Sequence, residues 1–243
     1  MDARLSPIDE ARFGIPTIKI ACQQGDSADE AIQTQLKAQA TLAIVRVPTD
    51  ELVLVQALEQ RGATLADCLV YFRKKQVAQY ADVPPFNYTM RLATPADAKR
   101  VEELASLTFE GYLGHYHADP RLKREDCDAV YSSWARNSCL DNQVATAVIL
   151  IEKGDDIAAF ATLKSIDSAS FEGVLFGVSP THQGKGLYIS LMKLAENWGF
   201  KQGHRQMLVS TQVTNTTVQK AWCRLGFEPL KSYYTLHHWN LID

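Results

Sequence analysis

The chain has 243 residues, of which 46% are hydrophobic and 22% charged, and its net charge at pH 7 is −3. That length accommodates one large domain or two small ones. A slightly acidic chain without a basic run is not typical of a nucleic-acid-binding protein, and no apolar stretch approaches the ~18 residues of a membrane helix.

The N-terminal residues lack the charge and the apolar core of a signal peptide, so we expect no export and no membrane partner. The cysteines form neither a close pair nor a metal-binding spacing, and they number five: Cys22, Cys68, Cys127, Cys139 and Cys223. An odd, scattered set is typical of a reducing cytoplasm. We therefore expect a cytoplasmic protein without a metal.

Strands and helices alternate in the first part of the chain. The apolar patterns predict, in order, strand 12–20, helix 29–38, strand 42–47, helix 51–60 and strand 69–73. This alternation is typical of an α/β layer. Two prolines then interrupt the pattern, so residues 81–85 are interpreted as a linker. We expect an N-terminal α/β unit over residues 1–85 and a second domain over residues 86–243.

The second domain opens with a helix start and a segment rich in ring side chains. Thr94 caps a helix, and Pro95 occupies its first position. Residues 109–122 are dense in aromatic, histidine and basic side chains. Such groups stack on bases and sugars and bind phosphate. This segment is therefore a candidate binding surface.

A glycine turn follows between a strand and a helix. Residues 174–176 predict the strand, residues 189–195 predict the helix, and Gly184 and Gly186 lie between them. Such a turn directs several backbone N–H groups to one spot before a helix N-terminus, where they bind an anion, most often phosphate. Gly186 after Lys185 excludes a Walker loop, and the third glycine of a dinucleotide fingerprint is missing. We predict a ligand that carries a pyrophosphate.

The chain closes with a buried strand over residues 205–211 and a second helix. Asn215 is a good N-cap for that helix, and Gly226 suits its left-handed C′ position.

The glycine turn resembles motif A of the GCN5-related N-acetyltransferase (GNAT) superfamily. Gln183 and the four residues that follow it fit the motif, whereas Tyr188 stands where the pattern has a small residue. Residues 215–227 resemble the closing helix of that superfamily, and residues 88–98 resemble its first strand and helix. The resemblance implies an α/β GNAT fold, with a mixed central sheet flanked by helices, preceded by a smaller α/β unit that resembles a partial GNAT layer.

The same resemblance implies acyl-CoA, acetyl or longer, as the co-substrate. In the superfamily the turn amides hold the pyrophosphate of coenzyme A, and the strand before the turn receives the thioester. Carried over to this sequence, the acyl-CoA site comprises Phe176, Gly177, Val178, Gln183, Gly184, Lys185, Gly186, Leu187, Tyr188, Asn215 and Trp222.

The acceptor is expected on the segment between the first helix and residues 131–136. The extra N-terminal unit is similar to the nucleotide-sugar branch of the superfamily, typified by TDP-fucosamine N-acetyltransferases. We therefore expect a nucleotide-linked amino sugar, bound by Tyr112, His115, Tyr116, His117, Arg121, Arg124, Tyr131 and Trp134. Lipopolysaccharide O-antigen synthesis would be the context of such an enzyme.

The resemblance also implies direct attack of an amine on the thioester, with Glu172, His115, His117 and Tyr188 as catalytic candidates. Glu172 stands where many members keep a carboxylate base. Histidine is the side chain type whose ordinary pKa lies near neutral, so His115 and His117 are alternatives for either base or acceptor contact. Where relatives carry an acidic Tyr, this chain has Trp222, whose indole is a donor only. Tyr188, Cys223 or solvent could then protonate the leaving thiolate.

The leading interpretation is an N-acyltransferase that acts on a nucleotide-linked, dTDP-type, amino-dideoxysugar. Two alternatives stay open: N-acetylation of a protein or polyamine, and a non-catalytic acyl-CoA-binding module. The oligomeric state is also open, with a homodimer among the options.

Overall fold

A computed structural model describes residues 1–75, 78–80, 83 and 87–240. Its strands are β1 (Asp2–Leu5), β2 (Thr17–Ala21), β3 (Leu42–Pro48), β4 (Thr64–Lys75), β5 (Thr89–Leu92), β6 (Ala147–Lys153), β7 (Asp156–Ser165), β8 (Ser170–Val178), β9 (Gln206–Gln212) and β10 (Glu228–Trp239). Its helices are α1 (Pro7–Phe13), α2 (Ala28–Lys37), α3 (Leu52–Glu59), α4 (Ala98–Thr108), α5 (Arg124–Leu140), α6 (Leu187–Lys201) and α7 (Thr216–Arg224).

The ten strands form one sheet in the order β1-β2-β3-β10-β4-β9-β8-β7-β6-β5. Two of the ladders, β2 with β3 and β8 with β9, are parallel, and the other ladders are antiparallel. The expected mixed sheet flanked by helices is thereby confirmed.

The last strand lies between two strands from the start of the chain. β10 pairs with β3 along one edge and with β4 along the other. The N-terminal strands and the C-terminal strands therefore share one sheet. The division into residues 1–85 and 86–243 stays a prediction, and the predicted linker 81–85 lies outside the described residues except for Val83.

The predicted strand at 12–20 is wrong in its first half. Residues 7–13 form α1, with Pro7 in its first turn and Gly14 as a left-handed C-cap at φ 66°. The strand begins only at Thr17, after Pro16. The apolar side chains of Phe13 and Ile15 suggested a strand, but they pack against Leu42 and Ile44 of β3 and belong to no ladder.

Helices cover both faces of the sheet. The back face, which carries Val45, Phe72 and Val209, packs against α2 and α3 at one end and against α6 and α7 at the other. The front face, which carries Arg46 and Tyr71, is covered by α4, α5 and the segment 109–122. Side chains alternate between the two faces along a strand, and residues directly opposite each other on neighbouring strands share a face. These two rules assign each residue to the back or the front face.

A buried ion pair joins β4 to α6 across the back of the sheet. Lys74 Nζ lies 2.9 Å from the carboxylate of Glu196, whose side chain is fully buried. The amide of Tyr80 donates to Asn197 Oδ1 at 2.6 Å, and Asn197 Nδ2 donates back to the Tyr80 carbonyl at 3.1 Å. Tyr80 is thus held on α6.

Among the described residues, no helix is long and apolar enough to span a bilayer. In the same part of the chain, no cluster of three His, Cys, Asp or Glu side chains is arranged to hold a metal ion.

Candidate active site

Two parallel strands separate in the middle of the sheet. β8 pairs with β9 only from Ser170 to Gly173, although β8 runs on to Val178 and β9 to Gln212. A bulge in β8 lies at this point, opposite Thr162, whose hydroxyl oxygen accepts the N–H of Leu175 at 3.0 Å. The bulge bends the strand away from its neighbour, so a gap opens between β8 and β9.

Backbone amides of β8 face this gap. The N–H of Ser179 donates to Ala158 on β7 at 2.9 Å. Alternate residues of a strand donate to opposite sides. The amides of Phe176 and Val178 therefore point away from β7, into the gap, where β9 offers no ladder partner at that level.

The glycine turn stands at the end of β8, as the sequence predicts. Gly184 and Gly186 have φ of 74° and 77°, which favours glycine, and no atom lies within 4 Å of where a Cβ would be. The backbone N–H groups of residues 184–189 have no acceptor within the described part of the chain. Six successive free amides at the start of α6 are the kind of arrangement that binds anions, and the pyrophosphate predicted there stays a prediction.

The other residues predicted for acyl-CoA divide into two groups. Gln183 and Lys185 are exposed at the turn, and Lys185 Nζ donates to the Thr181 carbonyl at 2.9 Å. Leu187 and Trp222 are buried in the core, with 1% and 2% of their surface exposed. Trp222 therefore has almost no surface to offer a ligand.

Asn215 holds the start of α7 beside the same gap. Its Oδ1 accepts the Val218 N–H at 3.4 Å, and its Nδ2 donates to Thr211 Oγ1 at 3.1 Å.

Phe176 and Gly177 belong to β8, where the Phe160 ring packs so closely on Gly177 that a Cβ there would clash.

Tyr188, which departs from the motif, points into the protein. Its ring centroid lies 5.9 Å from that of Phe176. Trp222 Nε1 donates a hydrogen bond of 2.8 Å to its hydroxyl oxygen. Burial raises the pKa of Tyr188 well above its usual value, with the Trp222 hydrogen bond opposing in part, so the phenol keeps its proton at neutral pH.

A row of half-buried polar side chains crosses the front face beside the gap. Ser210 Oγ donates to Glu172 Oε1 at 3.4 Å, Tyr71 stands directly opposite Ser210 on β4, and Arg46 donates to the Tyr71 hydroxyl at 3.3 Å. We call these four residues, Glu172, Ser210, Tyr71 and Arg46, the front row. Three of them were not predicted from the sequence.

The predicted base Glu172 stands at the gap end of the front row. Burial raises the pKa of its carboxyl above the usual value, while Arg46 and Ser210 oppose the shift. A carboxylate with a raised pKa is a better proton acceptor near neutral pH. Its catalytic role stays a prediction.

Tyr112, on the segment 109–122, and Tyr131, on α5, both reach the front face. Their rings meet edge to face at 5.1 Å, and Tyr131 stacks on Phe109 at 4.9 Å. Burial raises the pKa of the Tyr112 hydroxyl, and Thr211 and Asn215 next to it oppose the shift. Because Gln212 lies beside Tyr131, both rings are near the splayed end of β9, and their contact with an acceptor stays a prediction.

His115 belongs to a buried relay rather than to an open surface. Asp119 accepts from His237 Nδ1 at 2.9 Å and from Trp239 Nε1 at 2.6 Å. In the neutral imidazole of His237 the Nε2 atom is the acceptor, and His115 then donates to it from Nδ1 at 2.9 Å. Burial, and secondarily His237, lowers the pKa of His115, which keeps it neutral.

The other predicted acceptor residues of this segment have partners of their own. Tyr116 donates to the buried Asp9 at 2.8 Å. His117 accepts from the Gly114 amide at 3.0 Å and meets Asp128 at 3.1 Å, which engages both ring nitrogens. This geometry leaves His117 without a free nitrogen for catalysis among the described contacts.

Three further predicted acceptor residues are exposed on the outside of the molecule: Arg121 on the segment 109–122, and Arg124 and Trp134 on α5. Arg121 stacks over Trp239 at 5.3 Å, and Arg124 pairs with Asp128 at 3.3 Å. Trp134 is 37% exposed on α5. The structure does not bring these three side chains to the front row, and their contact with an acceptor stays a prediction.

Sequence comparisons agree with this geometry. Residues 100–227, just over half of the chain, match the acetyltransferase (GNAT) family. The chain therefore belongs to the GNAT family, whose members are acyl-CoA-dependent acyltransferases.

A curated relative is the spore coat polysaccharide biosynthesis protein SpsD of Bacillus subtilis strain 168. It is 25% identical over 195 residues, which are 80% of this chain and 65% of that protein. The match thus spans less than two thirds of that relative's length.

Solved structures show the same fold at low identity. A GCN5-related N-acetyltransferase from Sphaerobacter thermophilus superposes with a TM-score of 0.63 at 14% identity, over 99% of this chain and 78% of that one. A tandem GNAT protein from the clavulanic acid biosynthesis pathway gives 0.65 at 14%, over 95% of this chain and 77% of that one.

Proposed function

We propose that the protein transfers an acetyl or longer acyl group from acyl-CoA to the amino group of a nucleotide-linked, dTDP-type, amino-dideoxysugar. The front row carries this proposal, because it sets a cationic and an aromatic side chain beside a carboxylate at the edge of the gap.

The glycine turn supports binding of the donor. Six free amides and a helix N-terminus suit the two phosphates of a pyrophosphate, and the exposed Lys185 adds a positive charge beside them. The gap leads from the turn along β8, so an acyl chain threaded through it would meet the amides of Phe176 and Val178. Those two donors are suited to a carbonyl oxygen that gains negative charge during attack.

The front row supports a charged sugar as acceptor. Arg46 provides paired donors for a phosphate oxygen, and Lys231 lies 5.4 Å over the Tyr71 ring on the same face. Tyr112, Tyr131 and Tyr71 offer ring surfaces and hydroxyls for a sugar. A polycationic acceptor would meet repulsion from Arg46 and Lys231.

The polysaccharide-related name of the Bacillus relative supports an acceptor from sugar metabolism. Within that class, the layout of an N-terminal α/β unit before the acyltransferase region resembles TDP-fucosamine N-acetyltransferases. This resemblance is the reason for proposing dTDP rather than another nucleotide, and O-antigen synthesis as the context.

Glu172 is proposed as the base for the attacking amine. It lies on the front face, at the strand whose later amides face the gap, and its raised pKa favours proton uptake. The amine attacks the thioester carbon directly, and its proton passes to Glu172 or to water held there. No covalent enzyme intermediate is required.

A turnover screen tests the proposal. Acetyl-CoA and longer acyl-CoAs are offered with dTDP- and UDP-linked amino sugars, a lysine peptide and spermidine, and amide products are measured by mass spectrometry. We expect products with the nucleotide sugars only. Products with the peptide or spermidine alone would assign the other acceptor class, and acyl-CoA binding without any product would assign a non-catalytic module.

The variant Arg46→Ala tests the acceptor surface within the same assay. Loss of a charge-assisted hydrogen bond of ~1.5–3 kcal/mol should raise KM for the nucleotide sugar by roughly 10- to 150-fold, with KM for acyl-CoA unchanged. Arg61→Ala is the control, because Arg61 pairs with Asp29 at 2.8 Å, away from the front row. Equal effects of the two variants would contradict this assignment.

A further inference from the structure

The pair formed by Tyr188 and Trp222 lies on the opposite side of the sheet from the front row. Both side chains pack with the back-face cluster that contains Phe72 and Val209. The gap between β8 and β9 passes through the sheet between this pair and Glu172. A group held in the gap would therefore have Glu172 on one side and Tyr188 on the other.

The hydrogen-bond roles in the pair are fixed by chemistry. An indole N–H is a donor only, so the Tyr188 oxygen accepts from Trp222 at 2.8 Å. The phenol hydrogen then remains for a second acceptor. Among the described residues, no side chain or carbonyl accepts it.

The position of Tyr188 brings this free donor to the reacting end of the site. Tyr188 is the second residue of α6, directly after the glycine turn. Its ring packs against Phe176, whose amide faces the gap. The free amides of the turn and the Tyr188 side chain thus lie at the start of α6, directly beside the Phe176 residue of β8.

We propose that Tyr188 protonates the departing thiolate and that Trp222 is the positioning residue that holds its hydroxyl toward the gap. This proposal rests on the proposed acyl transfer. It places the attacking amine and the leaving group on opposite faces of the sheet, with the amine on the front face and the sulfur toward the back.

The step balances without any further reactant. The amine nitrogen forms a bond to the acyl carbon, the carbon–sulfur bond breaks, and its electron pair stays on sulfur. The Tyr188 hydroxyl gives its proton to that sulfur, while the Trp222 N–H stabilises the phenolate oxygen. The amine releases one proton through Glu172 or water to solvent, and solvent returns one proton to Tyr188.

Trp222 acts only through Tyr188 in this arrangement. With 2% of its surface exposed and its ring 5.4 Å from that of Phe72, it is enclosed by the core and cannot contact a substrate directly. Removing its N–H while keeping a ring should leave binding intact and disturb only the orientation of the phenol.

A double-mutant cycle tests the proposal with Tyr188→Phe, Trp222→Phe and the double variant. Loss of a general acid should lower kcat for Tyr188→Phe by ~10²-fold or more, with the Kd for acetyl-CoA, measured by calorimetry, within about threefold of wild type. Trp222→Phe should lower kcat by about 3- to 10-fold, the value of one hydrogen bond. The double variant should be no slower than Tyr188→Phe, because Trp222 has no other route to the chemistry.

Two reactions are followed: amide formation and the slow hydrolysis of acetyl-CoA by water. Both are measured by the loss of thioester absorbance. A thiol reagent is avoided, because it would also label the exposed Cys223. If no amide forms but hydrolysis rates of the variants follow the expected pattern, the proposed acceptor is contradicted and the role of Tyr188 as acid is supported. Three results would overturn the proposal. Tyr188→Phe could keep the wild-type kcat, or it could lose acetyl-CoA affinity by the same factor as kcat. Trp222→Phe could also lower kcat equally whether Tyr188 is present or replaced by Phe. A wild-type protein that binds acetyl-CoA and forms neither product would contradict both.

Discussion

Individual residues in this protein are assigned by their partners more than by their type. His117 and Tyr116 have the chemistry expected of acceptor contacts, yet each is engaged within the fold. Glu172 keeps a largely free carboxylate, with only the long Ser210 contact at 3.4 Å. Glu172 thus combines burial, a raised pKa and a place beside the gap, so a pH-dependent rate is expected from its carboxyl group.

Glu172→Gln should lower kcat at neutral pH by roughly 10²-fold and remove the acid limb of the pH–rate profile. Because a base must be deprotonated, wild-type kcat should fall as pH drops through the pKa of Glu172, and this fall should be centred above the ordinary glutamate range. The measurement is kcat from pH 4.5 to 9. Glu228→Gln, at the exposed start of β10, is the control, and an unchanged profile in Glu172→Gln would refute the base.

Asp119 makes a separate, structural prediction. Burial alone would raise the pKa of Asp119, but hydrogen bonds from His237, Trp239 and the Arg121 amide outweigh it and lower the pKa to about 2. A lowered pKa contributes stability that is present above the unfolded value near 4 and is lost as pH falls toward 2. Asp119→Asn should thus cost about 2 kcal/mol of unfolding free energy at pH 7.

Urea unfolding from pH 7 to pH 2.5 checks this expectation. The difference between wild type and Asp119→Asn should shrink as the pH falls below 4. The exposed Asp50→Asn should show no such pH-dependent difference. If the difference in unfolding free energy between wild type and Asp119→Asn stayed constant with pH, the charge of the carboxylate would not be what stabilises the cluster.

At the scale of elements, both functions proposed for α6 lie at one end of the helix. Its first turn presents the free amides, and its second residue presents the Tyr188 hydroxyl. The opposite end closes at Gly203, which also has a positive φ of 82° and open space around its α-carbon. Gly203 is therefore a matched control for Gly186: a side chain there causes the same backbone strain, far from the free amides.

Gly186→Ala and Gly203→Ala should destabilise the protein by a similar ~1–2 kcal/mol, because both place a Cβ at positive φ. Only Gly186→Ala should also weaken acetyl-CoA binding, by tenfold or more, since its methyl group intrudes among the free amides. Calorimetric Kd values and melting curves for the two variants separate these effects. Equal Kd values would place the pyrophosphate elsewhere.

At the scale of the whole molecule, the sheet couples the two ends of the chain. β10 depends on β3 and β4 for both of its neighbours, and the front row draws Arg46 and Tyr71 from the N-terminal residues. Lys74 ties the same part to the fully buried Glu196. A separate catalytic unit beginning near residue 86 would lack all of these contacts.

Deleting residues 1–80 should accordingly give insoluble or inactive protein. β9 would become an open edge, and β10 would lose both ladders. Solubility and acetyl-CoA binding of the 81–243 fragment check this expectation. A soluble and fully active fragment would show that the N-terminal strands are dispensable.

Lys74→Ala offers a milder test in the full chain. It leaves the Glu196 carboxylate buried without its cation, which should cost ~3–5 kcal/mol. The neighbouring Lys75→Ala should cost less than ~1 kcal/mol, because Lys75 is 62% exposed and only 3.8 Å from an exposed Glu228. Denaturant midpoints compare the two, and equal losses would argue against coupling through the buried pair.

The sequence alone determined the features that depend on neighbours along the chain. The glycine turn, the N-cap at Asn215 and the start of α6 follow from local backbone preferences, and the turn predicts an anion-binding site. The resemblance of these motifs to the GNAT superfamily predicted the family, and the same resemblance suggested the role of Glu172.

Tertiary structure alone decided what depends on strand order and side-chain direction. The placement of β10 between β3 and β4 brings Arg46 and Tyr71 to Glu172, and it joins His237 to His115 across 122 positions of chain. Trp222 meets Tyr188 only because α6 and α7 pack on one face. Register between distant strands is set by the sum of many weak contacts, so no local pattern in the sequence records it.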